Sequence, residues 1–110
     1  VQRFAPDDGA KGIDIAGQPG QIVVASAPGK VVYSGSALKG YGELIIIKHN
    51  EQYLSAYGYN RKRLAEEGQQ VAAGQPIAEL GLGPEQKPRL HFEIRDKGKP
   101  VDPTFLLPRR

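Results

Sequence analysis

At 110 residues the chain has the length of one domain, enough to bury a core without cross-links. It has no cysteine, which excludes disulfides and thiolate metal sites, and no apolar run approaches the length of a membrane span. The formal net charge of +3 is spread over scattered Lys and Arg without an aromatic-studded basic module. Nucleic-acid binding therefore has no support, and the charge reads as a solvated surface that would also suit an anionic polymer or an acidic partner patch.

The chain opens at Val1 and lacks methionine and tryptophan, so a fragment of a longer precursor is expected, with any signal or anchor upstream. Glycines and prolines punctuate short apolar runs throughout, the pattern of a β protein. The first segment with chemistry is Ala10-Lys11-Gly12-Ile13-Asp14-Ile15-Ala16, which sets one carboxylate among alternating apolar residues. Strands are predicted over 22–25, 30–34 and 43–49. In the last of these, Leu44-Ile45-Ile46-Ile47 is an unbroken aliphatic run, so this strand belongs in the middle of a sheet with both faces covered. Residues 49–53 supply the turn into a strand over 53–57, followed by Tyr57-Gly58-Tyr59-Asn60.

Asn60 is placed to cap one helical turn over 61–66, ended by Gly68, and no long amphipathic helix is predicted. A strand over 76–80 leads to a Gly/Pro loop, 81–88, that Pro84 and Pro88 should stiffen. The strand over 90–95 then alternates cleanly. Leu90, Phe92 and Ile94 face a core, and Arg89, His91 and Glu93 share the other face. Beyond it, the apolar residues of Val101-Asp102-Pro103-Thr104-Phe105-Leu106 are expected to pack on the edge of a barrel.

Taken together, Gly12-x-Asp14, Tyr57-x-Tyr59 and Arg89-x-His91 resemble the three signature blocks of the LytM (lysostaphin-type) zinc peptidases, which cut peptidoglycan cross-links. The family pattern is His-x-Gly-x-Asp, Tyr-x-His and His-x-His. The likeness runs through nearly the whole chain, including Gly40-Tyr41-Gly42 and Val71-Ala72-Ala73-Gly74-Gln75-Pro76-Ile77. It implies an all-β fold: a single small antiparallel β-sheet or barrel-like domain of the duplicated hybrid motif type spanning 1–110, with short loops and at most one short helical turn. Residues 67–78 are also similar to the hairpin of biotinyl and lipoyl carrier domains. No lysine stands at a comparable turn, so shared strand geometry accounts for that likeness.

The resemblance implies metal-ligand positions at Ala10, Asp14 and His91, and catalytic positions at Tyr59 and Arg89. A hydrolytic zinc ion needs about three protein ligands, an open position for water and a group to handle its proton. Alanine at 10 has no donor atom. A tyrosine titrates near pH ~10 and an arginine stays charged, so neither is a base at neutral pH, and Arg89 would repel a cation beside His91. The expectation is no metal, no cofactor and no catalytic residue. His49 has the chemistry to rescue a metal site, yet it follows the buried isoleucine run and corresponds to no family ligand. A hydrogen bond from His91 to Asp14 would keep the vestigial pocket in shape.

Members of the family with lost catalytic residues include the NlpD- and EnvC-type division factors, and the wording here is nearest the NlpD type. That resemblance implies an activator of N-acetylmuramoyl-L-alanine amidases in daughter-cell separation, carried on a periplasm-facing outer-membrane lipoprotein with a LysM domain upstream. Peptidoglycan is a second candidate partner, and this domain itself should touch no membrane. The expected partner-binding groove comprises Asp14, Tyr41, Tyr59, Arg89 and His91, and Arg89→Glu is expected to spare folding and abolish stimulation. The alternatives are an active zinc endopeptidase and a passive wall-binding module.

Overall fold

The computed structural model describes residues 12–38, 40–83, 86–97 and 99–101. Among them are nine strands: β1 (Ile13–Ala16), β2 (Ile22–Val24), β3 (Gly29–Gly35), β4 (Glu43–Lys48), β5 (Tyr53–Arg63), β6 (Gln70–Val71), β7 (Pro76–Leu80), β8 (Arg89–Asp96) and β9 (Lys99–Val101). Every pairing is antiparallel, in the order β1-β8-β5-β4-β3-β6. β1 and β9 share one edge of β8, and β5 takes the other.

The long strand β5 belongs to two layers. Tyr53–Gly58 is paired with β8, and β4 lies on its other side. The remainder leaves to pair with β7, which in turn pairs with β2. The bend falls at Tyr59, whose φ is 65°, a left-handed conformation that a bulky side chain rarely adopts. Tyr59 N–H donates to Tyr41 O at 2.7 Å and pins it there. Among the described residues no pairing joins the two ends of the strand path, so the antiparallel β-sheet or barrel-like domain expected from sequence takes the form of an open, branched sheet.

Alternation puts Ile13, Phe92, Ile94, Tyr57, Ile45, Ile47 and Val31 on one face of the main sheet, where they form one cluster with Val23, Ile77 and Leu80 from β2 and β7. β4 is central, as its composition predicts. Ile45 and Ile47 are fully enclosed on the core face, and Leu44, 1% exposed, on the opposite one. Burying each contributes about 1.5–3 kcal/mol.

The predicted helical turn over 61–66 does not form. Arg61, Lys62 and Arg63 continue β5, with Lys62 opposite Glu79 and Arg63 opposite Ala78, and Leu64 and Ala65 then donate to Ile77 O. Asn60 caps nothing, because its Nδ2 donates to Glu43 O and Tyr57 O across the bend. The segment also lacks an apolar stripe to hold a helix on the domain. β1, β6 and β9 were too short to show a period in the sequence. The turn over 49–53 is as expected: Asn50 Oδ1 accepts from Gln52 N and Tyr53 N, both at 2.8 Å. The expectations for Ala10, Pro84 and the tail from Asp102 onward lie outside the described residues.

Candidate functional site

The site is built on the face of β8 that does not meet the core. Register places Asp14 of β1 opposite His91, with Gly58 of β5 on the other side of His91 and Ala56 beside Glu93. Arg89, His91, Glu93 and Arg95 follow one another at every second residue of β8, so all four share this face. Small residues at 56 and 58 form the floor. A Cβ at Gly58 would crowd the Tyr41 carbonyl oxygen at 3.3 Å and touch the Tyr41 ring and His91 Cβ at ordinary contact distances of 3.4 and 3.6 Å. Tyr41 and Tyr59 flank His91, each ring centroid 5.6 Å from the imidazole, tilted by 52° and 47°. Gly12 is required more strictly, since a Cβ there would collide with the backbone carbonyl of Phe92 and come within 2.7 Å of Glu93 Cγ.

These side chains form one line of alternating charge. The Arg89 guanidinium is 3.2 Å from Asp14 Oδ2. His91 Nδ1 is 2.7 Å from Asp14 Oδ1, and His91 Nε2 is 2.7 Å from Glu93 Oε2. Arg95 donates to Glu93 Oε1 through Nε and Nη2, at 3.0 and 2.9 Å. The two carboxylates are buried, Asp14 at 4% exposure and Glu93 at 1%, while the Arg89 side chain keeps 27% of its surface in solvent.

Both nitrogens of His91 face carboxylate oxygens, and only a doubly protonated ring can donate to both. Burial pulls the imidazole pKa down, but the hydrogen bonds and charges of Glu93 and Asp14 outweigh it, and the net direction is up. For Glu93, burial pushes up, while bonds from His91, Tyr41 and Arg95 win and hold it below its ordinary value. Tyr41 and Tyr59 are both raised, first by burial and then by Glu93 and Asp14 respectively.

Stability linkage follows from these directions. His91 has a raised folded pKa, so its contribution is complete below about pH 6.5 and is lost as pH rises through the raised value. Glu93 is depressed, so its contribution is present above about pH 4.5 and is lost as pH falls through the lowered value. The domain should therefore be most stable between these limits and weaken toward alkaline pH. Urea unfolding at pH 5.5, 7 and 8.5 checks this. The alkaline loss should largely vanish in His91→Gln, and equal losses in wild type and variant would contradict it.

The sequence brought Asp14, Tyr41, Tyr59, Arg89 and His91 together, and the structure places all five here, with the expected His91–Asp14 hydrogen bond present. It missed Glu93 and Arg95 as members, although the period-2 alternation from His91 points to both. Gly83, of the Gly/Pro loop 81–88, sits where a Cβ would come within 2.8 Å of both Tyr59 and Arg89. His49 is elsewhere: its Nδ1 bonds Pro28 O and its Nε2 bonds Ser55 Oγ, on the core face with Tyr57. Zinc fits poorly. Asp14 and His91 are two donors where about three are needed, and a guanidinium already satisfies Asp14. Among the described residues no group of three such side chains could hold a metal ion.

A cleft of about 420 Å³ lies on the opposite face, lined by apolar side chains including Ile15, Ile22, Val24, Leu80 and Leu90. It contains none of the charged line.

An antiparallel sheet that sets an aspartate on one strand against a histidine on the next is the framework of a lysostaphin-type peptidase domain. The antimicrobial peptidase lysostaphin from Staphylococcus simulans superposes with a TM-score of 0.87 over 97% of this chain and 48% of that one, at 26% identity. The chain belongs to peptidase family M23, whose sequence profile matches residues 8–103. Within the family it is 61% identical, over 100% of its length, to a lipoprotein NlpD/LppB homolog of Pseudomonas aeruginosa, and covers 37% of that protein. It is 58% identical, over 96% of its length, to murein hydrolase activator NlpD of Escherichia coli, covering 28% of it. The chain thus spans about a third of the length of these curated relatives.

Proposed function

We propose that this domain is a non-catalytic activator of periplasmic N-acetylmuramoyl-L-alanine amidases in peptidoglycan splitting and daughter-cell separation, working from a protein anchored to the outer membrane. The observation that carries the reading is the Arg89 guanidinium on Asp14, a fixed cation where the family pattern has a catalytic histidine, bound to the carboxylate that the pattern gives to the metal. The names of the relatives, murein hydrolase activator and lipoprotein, agree with it. A single domain spanning the whole chain is part of the same reading.

In this mechanism Arg89, Tyr41, Tyr59 and His91 grip a regulatory segment of the amidase, and Asp14, buried beneath them, orients Arg89 and His91. A partly exposed guanidinium fork next to an imidazole flanked by two tyrosine rings suits a carboxylate or a backbone carbonyl. Holding that segment favours the open amidase. A complete switch from about 1:99 to 99:1 needs a preference of about ten-thousandfold for the open state.

The test is dye release from labelled peptidoglycan by the chain alone, the amidase alone and the two together, with and without zinc. Release is expected only where amidase is present, and strongly only with both. Release by the chain with zinc would make it an endopeptidase; pelleting with bare peptidoglycan without stimulation would make it a wall-binding module. The structure changes which variant to use. A glutamate at 89 would face the buried Asp14 carboxylate, so Arg89→Glu should unfold part of the population rather than spare the fold. Arg89→Gln keeps a donor for Asp14. It should cost about 1–3 kcal/mol of stability and remove most of the stimulation. Full stimulation by Arg89→Gln would take Arg89 out of the mechanism.

A further inference from the structure

A second set of cations continues the groove. Register aligns Lys30 of β3 with Lys48 of β4, Lys48 with Leu54 of β5, and Leu54 with Arg95 of β8. Antiparallel partners share a face, and Arg95 lies two residues from Glu93 and four from His91 along β8, so this row is on the groove side. At about 4.8 Å between strands the row is on the order of 15 Å long.

The row is unfavourable for the fold taken alone. Like charges directly opposite one another destabilise a sheet, and Lys30 and Lys48 are such a pair. The acids of this face do not offset them. Asp14 and Glu93 are buried and engaged by Arg89, His91 and Arg95, and Glu43 is held by Arg63 at 2.8 Å. Glu51 reaches Lys48 at 3.4 Å, but its side chain is 95% exposed, and such pairs contribute little. Lys30 makes no ion pair with a described residue.

We infer that this row is the second half of the partner interface. An acidic protein segment, gripped at Arg89 and the two tyrosines, runs along β8 over Arg95 and across the strands to Lys48 and Lys30. The inference rests on the proposed reading that the groove holds a protein, and it adds the chemistry of that protein. A protein segment fits better than an anionic wall polymer because Ile46 and Leu54, both half-buried, stand on the same face among the cations. They offer apolar contact to leucine-like side chains interspersed with acids.

The test compares wild type, Lys30→Arg/Lys48→Arg and Lys30→Glu/Lys48→Glu. The probe for direct binding is a fluorescein-labelled peptide of alternating glutamate and leucine, read by anisotropy at 50 and 300 mM NaCl. Purified peptidoglycan is pelleted in parallel, and amidase stimulation is titrated. The Glu variant should bind the peptide about tenfold more weakly at low salt. Its salt dependence should be largely lost, and it needs about tenfold more domain for half-maximal stimulation, with the maximum kept. The Arg variant should match wild type, and pelleting should not differ among the three. Unchanged peptide affinity and unchanged half-maximal concentration in a stimulating domain would overturn this inference alone. Loss of pelleting with peptide binding intact would replace the acidic segment by the wall polymer. A wild type that stimulates no amidase would instead sink the reading on which the inference rests.

Discussion

Glu93→Ala is expected to lower the unfolding free energy by about 3–5 kcal/mol, the range for removing one partner of a buried ion pair. In a domain of this size that is a fall in Tm of at least roughly 12 °C. Glu93 is 1% exposed and holds His91 Nε2, both reaching nitrogens of Arg95 and the Tyr41 hydroxyl. Its loss leaves an imidazolium and a guanidinium together with no anion between them, and opens a hole beneath Gly12. Glu93→Gln keeps the volume and an acceptor and should lose less. Glu43→Ala is the matched control. It breaks the Arg63 pair, whose side chains are each 34% exposed, and should change stability by about 0–1 kcal/mol. Urea unfolding of the three variants decides it. Similar small losses for Glu93→Ala and Glu43→Ala would mean that water reaches the charged line and that it does not set the groove's shape.

The same line shows which parts of the molecule can be read from sequence. The strand carrying it was legible because alternation is local: Leu90, Phe92 and Ile94 against Arg89, His91 and Glu93 needs no partner strand to be seen. Leu44 to Ile47 announced a central strand in the same way. What sequence alone could not supply is register. Asp14 and His91 are 77 positions apart and meet only because Ile13 sits opposite Phe92. The family likeness supplied that pairing, and its pattern stops at His91, which is why Glu93 and Arg95 went unread as site residues. The helical turn after Asn60 failed for another reason. Arg61 to Glu66 are adequate helix formers, but β7 offers the backbone of Arg61 to Arg63 a ladder, and Asn60 is tied down by its amide. Tertiary pairing overrides a weak local preference.

Tyr59 connects fold and chemistry. Its φ of 65° is a conformation in which histidine is enriched relative to most residues with a side chain. The family pattern places a histidine at this position. The bend has kept the backbone that suits the imidazole and carries a phenol instead, so Tyr59→His should be tolerated, and alone it should confer no hydrolysis.

Zinc is expected to leave the melting temperature of the wild-type domain unchanged and to raise that of Ala10→His/Arg89→His by on the order of 15 °C. The first substitution supplies the donor that alanine lacks at the family's third ligand position. The second removes the guanidinium that now neutralises Asp14 and leaves a ring that can be neutral at pH 7.5. His91 Nε2 is held by a carboxylate, as the second nitrogen of a metal-binding histidine usually is, but Nδ1 has to give up its proton and its 2.7 Å bond to Asp14 before it can meet an ion. A metal at about a thousand times its dissociation constant stabilises the folded state by about 4 kcal/mol, which in a domain this small is the stated shift. Neither change alone should suffice. Arg89→His leaves two donors, and Ala10→His leaves a fixed positive charge beside the ion. Differential scanning fluorimetry with zinc, with chelator and with magnesium as a control reads the outcome directly. A zinc-dependent rise in the wild type would show that Asp14 and His91 hold the ion despite Arg89. A rise confined to the double variant would show that zinc needs both the ligand missing at Ala10 and the removal of the Arg89 charge from Asp14.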